Sequence, residues 1–266
     1  MKENSLEFLW GGDNMEGHNA DIFKKVIKEE DIGLELKDIL YEKINVSSRL
    51  VRKLKRNKSI YINGYQVSLS TKIRKNDVVK LIMPREHNDF QPEDIPIKVE
   101  YEDQDLMVIN KQPGIVVHPT KGHPYGTIAN GLVEYINKTE QGFKIRFINR
   151  LDRDTSGLMM IAKSAFAQQS ISLQMQENTV VKEYLAVVEG VVTEDGGVIR
   201  EPIGRLNEED ILRIVTETGQ MSVTHYDVVT RFNNATLVRL RLETGRTHQI
   251  RVHMKHIVFL KLCALA

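Results

Sequence analysis

Apolar residues recur along this chain with two periods, and where they change marks its parts. Leu36, Ile39, Leu40 and Ile44 follow helical spacing, and Leu50, Val51 and Leu54 repeat it behind a Ser47-Ser48 cap, so two short helices are predicted. Ile60-Tyr61-Ile62 then runs into Asn63-Gly64, a tight hairpin turn, and residues 78–82 predict a further strand. Ahead of this block, residues 22–32 mix apolar and charged positions in the manner of an edge strand, and residues 1–20 are polar and Gly-rich, a flexible lead-in.

Pro84, Pro92 and Pro96 punctuate a charged, weakly periodic stretch that reads as a linker. Beyond it, residues 99–101 and 106–109 predict a hairpin turned at Asp103-Gln104-Asp105. Lys111-Gln112-Pro113-Gly114 is a turn, residues 115–117 a strand, and Thr127 caps a helix with Ile128, Leu132 and Ile136 on one face. Ile145, Phe147 and Ile148 precede a polar loop, and Leu158, Met159, Met160 and Ile161 follow it, giving strand, loop, strand. Ser164 caps a helix to about residue 177; strands follow over 183–190, 211–215, 223–232 and 236–242. In the last strand Val238, Leu240 and Leu242 alternate with Leu237, Arg239 and Arg241, so one side is buried and the other presents arginines. Gly245-Arg246 turns the chain, and Thr247 caps a helix through Ile250, Met254 and Ile257. Strands outnumber helices without βαβ alternation, which predicts an α+β fold with a mixed, mainly antiparallel sheet.

Composition narrows the setting. The 266 residues, 41% hydrophobic, suffice for one large domain and a smaller one. One cysteine, Cys263, excludes a disulfide framework and a cysteine-based zinc site within this chain, and points to a reducing, cytoplasmic setting. No apolar run reaches membrane-spanning length, and the first residues lack the profile of a secretory signal. The net charge of +1 hides an asymmetry: residues 47–84 carry ten basic side chains against the single acid Asp77, a net +9, so the remainder is acidic. On so small a helix-helix-hairpin block this is the electrostatic footprint of a phosphate-backbone binder, with Arg49, Arg52, Lys53 and Arg56 as the leading contacts.

Candidate chemistry concentrates in the polar loop Asn149-Arg150-Leu151-Asp152-Arg153-Asp154-Thr155-Ser156-Gly157. A strand-supported loop is a rigid mount for a reactive carboxylate. The two aspartates invite a paired-carboxylate glycosidase reading, but Asp154 reads better as a turn former or the partner of a nearby arginine. Thr155-Ser156 lacks the Gly-x-Ser-x-Gly elbow of a serine nucleophile. His248, His253 and His256 share a helix with no carboxylate in that stretch, so they read as structural or RNA-contacting residues and no metal site is expected.

Four ordered motifs resemble the pseudouridine synthases of the RluA/RluD type over residues 95–256: Lys111-Gln112-Pro113-Gly114 through His118-Pro119; Arg150-Leu151-Asp152 to Gly157; Lys182-Glu183-Tyr184; and Gly245-Arg246-Thr247-His248-Gln249-Ile250-Arg251-Val252-His253. Residues 34–84 resemble an S4-type RNA-binding domain, carried by Ser48-Arg49, Leu54, Ile60, Ile62-Asn63-Gly64 and Asp77-Val78-Val79. The resemblance implies a lead-in over 1–33, a small α/β S4-like domain over 34–84, a linker over 85–96 and a catalytic domain over 97–266. It further implies isomerisation of uridine in rRNA or tRNA by a monomer without cofactor. Asp152 would be the catalytic carboxylate, Arg251 the cation that keeps it ionised, and Tyr184 the ring that stacks on uracil or moves a proton at C5. Arg150, Arg153 and Arg246 would hold phosphates. Two departures stand out. Asn149 occupies a position where many relatives have His. After His256 the family's Gly-His-Pro turn and closing strands are missing, so a truncated catalytic domain with an open sheet edge, lower stability and weak activity is expected; the rival reading is an RNA-binding remnant without turnover.

Overall fold

In the computed structural model, residues 22–44, 46–83, 87–120, 122–207, 209, 212–257 and 262–265 are described. They fall into two compact units: the described part of Met1–Asp89 with Ile136–Arg146 and Ala162–Gln169, and Phe90–Tyr135 with Phe147–Ile161 and the chain from Ser170 onward. The expected cut at a linker is therefore too simple, because the first unit also takes two segments from the later chain.

In the first unit, β1 (Ile22–Val26), β4 (Val78–Ile82), β2 (Ile60–Ile62) and β3 (Tyr65–Gln66) form one sheet in the order β1-β4-β2-β3, antiparallel throughout. β1 is the predicted edge strand, so the fold of this unit starts before residue 34. Asn63 and Gly64 both have positive φ (51° and 85°), as the hairpin turn demands. α1 (Leu36–Asp38) continues as a π-helical turn to Lys43, and α2 (Ser48–Arg56) is capped by Ser47, whose hydroxyl accepts from Leu50 N–H at 3.3 Å. Leu36, Ile39, Leu40, Val51 and Leu54 are fully buried against Val79 and Leu81. Asp77, the lone acid, is buried and structural: it accepts from the Asn63 amide and from Arg74 N–H, both at 2.8 Å.

In the second part of the chain, β5 (Lys98–Glu102) and β6 (Leu106–Lys111) are the predicted hairpin. With β7 (Arg146–Phe147) and β8 (Gly157–Ala162) they make a sheet of order β5-β6-β8-β7. Residues 115–117 are not a strand. The carbonyls of Val116 and Val117 accept the first N–H groups of α3 (Ile128–Lys138), both at 3.0 Å, so they cap a helix rather than join a sheet. α4 (Ala165–Gln176) starts where Ser164 Oγ accepts from Ala167 N–H at 3.0 Å. The larger sheet has the order β11-β10-β12-β13-β9-β14, built from β9 (Glu183–Glu189), β10 (Gly196–Gly204), β11 (Ile214–Val215), β12 (Gln220–Arg231), β13 (Ala235–Leu242) and β14 (Leu262–Leu265). α5 (Gln249–Ile257) buries Val252 and Met254, and Met254 joins Ala186, Val188, Val238 and Leu240 in one apolar cluster. β10 escapes the sequence reading because Gly196-Gly197 and Pro202 depress its strand signal.

The expected open edge does not lie at β9: the edge strand on that side is β14. Leu262–Leu265 pairs antiparallel with Leu185–Val188, so β9 is flanked by β13 on one side and β14 on the other. The irregular stretch before β5 is also pinned. Asn88 donates to Phe143 O and accepts from Ile145 N–H, Gln91 O accepts from Asn130, and the Glu93 carboxylate accepts from Gly126 N–H.

Candidate active site

The loop between β7 and β8 carries Asp152, half-buried, at its centre. Its backbone carbonyl accepts from Thr155 N–H at 3.1 Å, closing the turn that presents the side chain. Arg251, on the first turn of α5, brings Nε to 3.6 Å from Asp152 Oδ2. His248, just ahead of that helix, brings Nε2 to 3.8 Å from the same oxygen. The predicted pair is thus assembled from segments about a hundred residues apart in sequence.

Tyr184 projects from β9 opposite Leu240 and packs on the apolar cluster beneath the sheet. Burial pushes its hydroxyl above the ordinary tyrosine range, and the negative charge of Asp152 pushes it the same way. The ring therefore stays protonated at neutral pH, and the shift runs against a phenolate base.

Asp154 separates cleanly from Asp152. It is exposed and takes a two-pronged contact from its neighbour, Arg153 Nε at 3.0 Å and Nη2 at 3.2 Å. The Arg153 hydrogen bond holds its carboxyl below the usual range. This matches the reading of Asp154 as an arginine's partner, and it means Arg153 meets solvent with its charge already partly answered. Arg150 and Arg246 are exposed.

Sequence reasoning missed how the loop is braced. Lys111 is fully buried, and its ammonium donates to the carbonyls of Gln112 at 2.8 Å, Ile115 at 2.9 Å and Arg153 at 2.9 Å. Gly114 N–H donates to Arg153 O as well, at 2.9 Å. A lysine in a turn reads as solvated, so only its place in the first motif hinted at this. Asn149 was also undervalued: its amide donates to Leu158 O at 3.1 Å and accepts from Met160 N–H at 2.8 Å, pairing like a strand residue with β8. In α5, Gln249 is buried and donates to Val223 O and Thr224 Oγ1 while accepting from Arg246 N–H and Thr244. This places the helix start at Gln249, two residues beyond the Thr247 cap expected from sequence. His253 is buried between Thr224 Oγ1 at 2.9 Å and the Glu201 carbonyl at 3.1 Å, a structural role. Among the described residues, no three His, Cys, Asp or Glu side chains gather as a metal-holding group, and no helix is long and apolar enough to cross a membrane.

The basic face of the first unit is distinct. Arg49, Arg52, Lys55 and Arg56 of α2 are exposed. Lys53 lies among them, its ammonium lowered below the usual lysine range by burial and then by the cations of Arg146, Arg56 and Arg49. Such crowding of like charge holds a positive field ready for a polyanion.

Residues 105–256 match the family described as RNA pseudouridylate synthase. Over 204 residues the chain is 42% identical to YlyB, an uncharacterised RNA pseudouridine synthase of Bacillus subtilis, covering 75% of this chain and 67% of that one. It is 43% identical over 168 residues to the ribosomal large subunit pseudouridine synthase D of Haemophilus ducreyi, covering 63% of this chain and 51% of that one, so it spans about half of that relative's length. Among solved structures, human RNA pseudouridylate synthase domain containing 1 is similar with a TM-score of 0.52 and 25% identity, over 63% of this chain and 67% of the other.

Proposed function

The chain belongs to the RNA pseudouridylate synthase family, and from that premise we infer that it isomerises uridines in structured RNA, large-subunit rRNA foremost, with Asp152 as the reacting carboxylate. The observation that carries this reading is the Asp152–Arg251 contact at 3.6 Å on a loop braced by buried groups.

The reaction is an isomerisation. The N1–C1′ bond breaks, the uracil turns, a C5–C1′ bond forms, the C5 proton leaves and N1 ends protonated. It is redox-neutral and asks for no cofactor. An ionised carboxylate is needed, either to attack C1′ or to take a proton from the sugar, and Asp152 stands with the Arg251 guanidinium beside it. Tyr184 offers its ring to stack on the uracil; with its hydroxyl held protonated it serves as a platform and donor. The target nucleotide must leave its stack to reach these groups, so base flipping is part of the reading. Arg150, Arg153 and Arg246, with Arg49, Arg52, Lys53 and Arg56 of the S4-like unit, supply phosphate contacts that position the RNA without specifying sequence. We read the protein as a cytoplasmic monomer.

The test is incubation with large-subunit rRNA fragments and tRNA, followed by carbodiimide labelling of pseudouridine. Product from the wild type and its loss in Asp152→Asn are expected. Product retained by the variant would overturn the assignment of Asp152; free uracil would mark a glycosidase; tight, salt-sensitive binding without product would mark a binding protein.

A further inference from the structure

Two side chains converge on one oxygen of Asp152. Arg251 Nε and His248 Nε2 lie 3.6 Å and 3.8 Å from Oδ2, and both of the carboxylate's ion-pair contacts among the described residues go to that atom. Among the described residues, Oδ1 takes part in neither contact.

His248 also stands at φ +58°, in the left-handed region, immediately before the first residue of α5. A residue with a Cβ is strained there. The backbone task at this position is to offer the carbonyl that Val252 N–H takes at 2.9 Å, and a glycine would do that without strain. What a glycine lacks is the imidazole. The charged and titratable groups around this carboxylate come from several elements: Arg251 from α5, Lys111 from the end of β6, Asp154 from the loop itself, and Tyr184 from β9. Of these, Arg251 comes within 4 Å of it, and His248 joins Arg251 there.

We propose that His248 is a positioning residue: with Arg251 it fixes Oδ2 so that the carboxylate keeps one orientation and presents Oδ1 to the sugar of the flipped uridine. This rests on Asp152 being the reacting group. The division of labour is geometric. One holder reaches from the helix's first turn and the other from the strained residue before it, three positions apart, so the carboxylate is gripped from two points of one rigid element.

The variants that isolate the ring are His248→Asn and His248→Gly, since both residues accept the left-handed backbone. Thermal unfolding of both should stay within a degree or two of wild type. Single-turnover pseudouridine formation should fall on the order of 10- to 100-fold, the cost of a carboxylate misplaced by a fraction of an ångström to an ångström. RNA affinity measured by filter binding should stay within about twofold, because the interaction acts on the reacting group rather than on phosphate. A crystal structure of His248→Asn should show the Asp152 carboxylate spread over more than one orientation. Wild-type turnover in both variants would overturn the proposal. So would a loss confined to RNA affinity, which would make His248 a backbone contact, or an Asp152 unmoved in the variant structure. If the wild type itself forms no pseudouridine, the parent reading fails separately, and the orientation of Asp152 in the variant still decides the role of His248.

Discussion

The Asp152 loop and helix α2 are both dense in ionisable residues, yet they are built on opposite principles. In α2 the arginines stand in solvent, and Lys53 is lodged among other cations. In the loop both carboxylates have close neighbours, Asp152 in Arg251 and His248 and Asp154 in Arg153, and the backbone beneath is held by the buried Lys111. Under the proposed function, the difference follows from the tasks. A phosphate backbone is a long polyanion and needs only a positive field, which tolerates mobile side chains. A glycosidic carbon needs one oxygen at one place, so the loop is held by hydrogen bonds that do not touch the substrate.

The comparison can be broken most decisively at Lys111. Lys111→Met keeps the stem and removes the ammonium, leaving three carbonyls short of a donor. The expected result is a loss of about 2–4 kcal/mol in urea unfolding, with turnover falling further than stability explains because the loop backbone loosens. Normal stability would show the brace to be idle.

Reversing α2 should act on the other principle. Arg52→Glu with Arg56→Glu is expected to weaken RNA binding by about 10- to 100-fold at moderate salt and flatten its salt dependence. The rate at saturating RNA should hold, since the site is untouched. A fall in that rate instead would mean that α2 does more than bind.

A smaller effect is expected at Asn149. Asn149→Ala removes both amide contacts with β8 and should cost about 1–2 kcal/mol. Asn149→Asp keeps the acceptor and should recover part of this, read by thermal unfolding of the pair.

Acid is expected to sharpen the picture least. Burial lowers the pKa of His253 and of His118 below the ordinary histidine value. Folding therefore excludes a proton that the unfolded chain binds. The stabilisation is complete above about pH 6.5, the unfolded value, and is lost as pH falls through the lower folded values. The melting temperature should decline below about pH 6.5, and the decline should be shallower in His253→Gln. An unchanged slope would leave the acid sensitivity to other groups.

Much of the site was legible because its signal is local. Arg150 to Gly157 sits between two apolar strands, and Tyr184 and Arg251 lie in motifs read directly from the chain. Residues whose role depends on distant partners were not legible. Lys111 looks like any turn lysine until the carbonyl of Arg153, 42 residues away, is seen to need a donor. Asn149 reads only as a departure from the family's pattern, yet its amide stands in for strand pairing. Val116 and Val117 have strand composition, but their carbonyls are claimed by a helix. β10 hid behind two glycines and a proline. In the basic unit the caps, turn and charge of residues 34–84 were legible because they are local, whereas β1 and the segments Ile136–Arg146 and Ala162–Gln169 that also belong to it were not assigned there.

The hydrogen bond from Gly114 to Arg153 has a kinetic consequence. That amide lies in a turn, where exchange with solvent is ordinarily fast, but here it is locked to the loop that carries Asp152. Its deuterium uptake therefore counts the openings of the Asp152 loop, one backbone site serving as the clock for another. Should RNA slow uptake at Gly114 together with the loop, substrate is received by a loop that still opens; should uptake already match that of the core strands, the loop is set before RNA arrives.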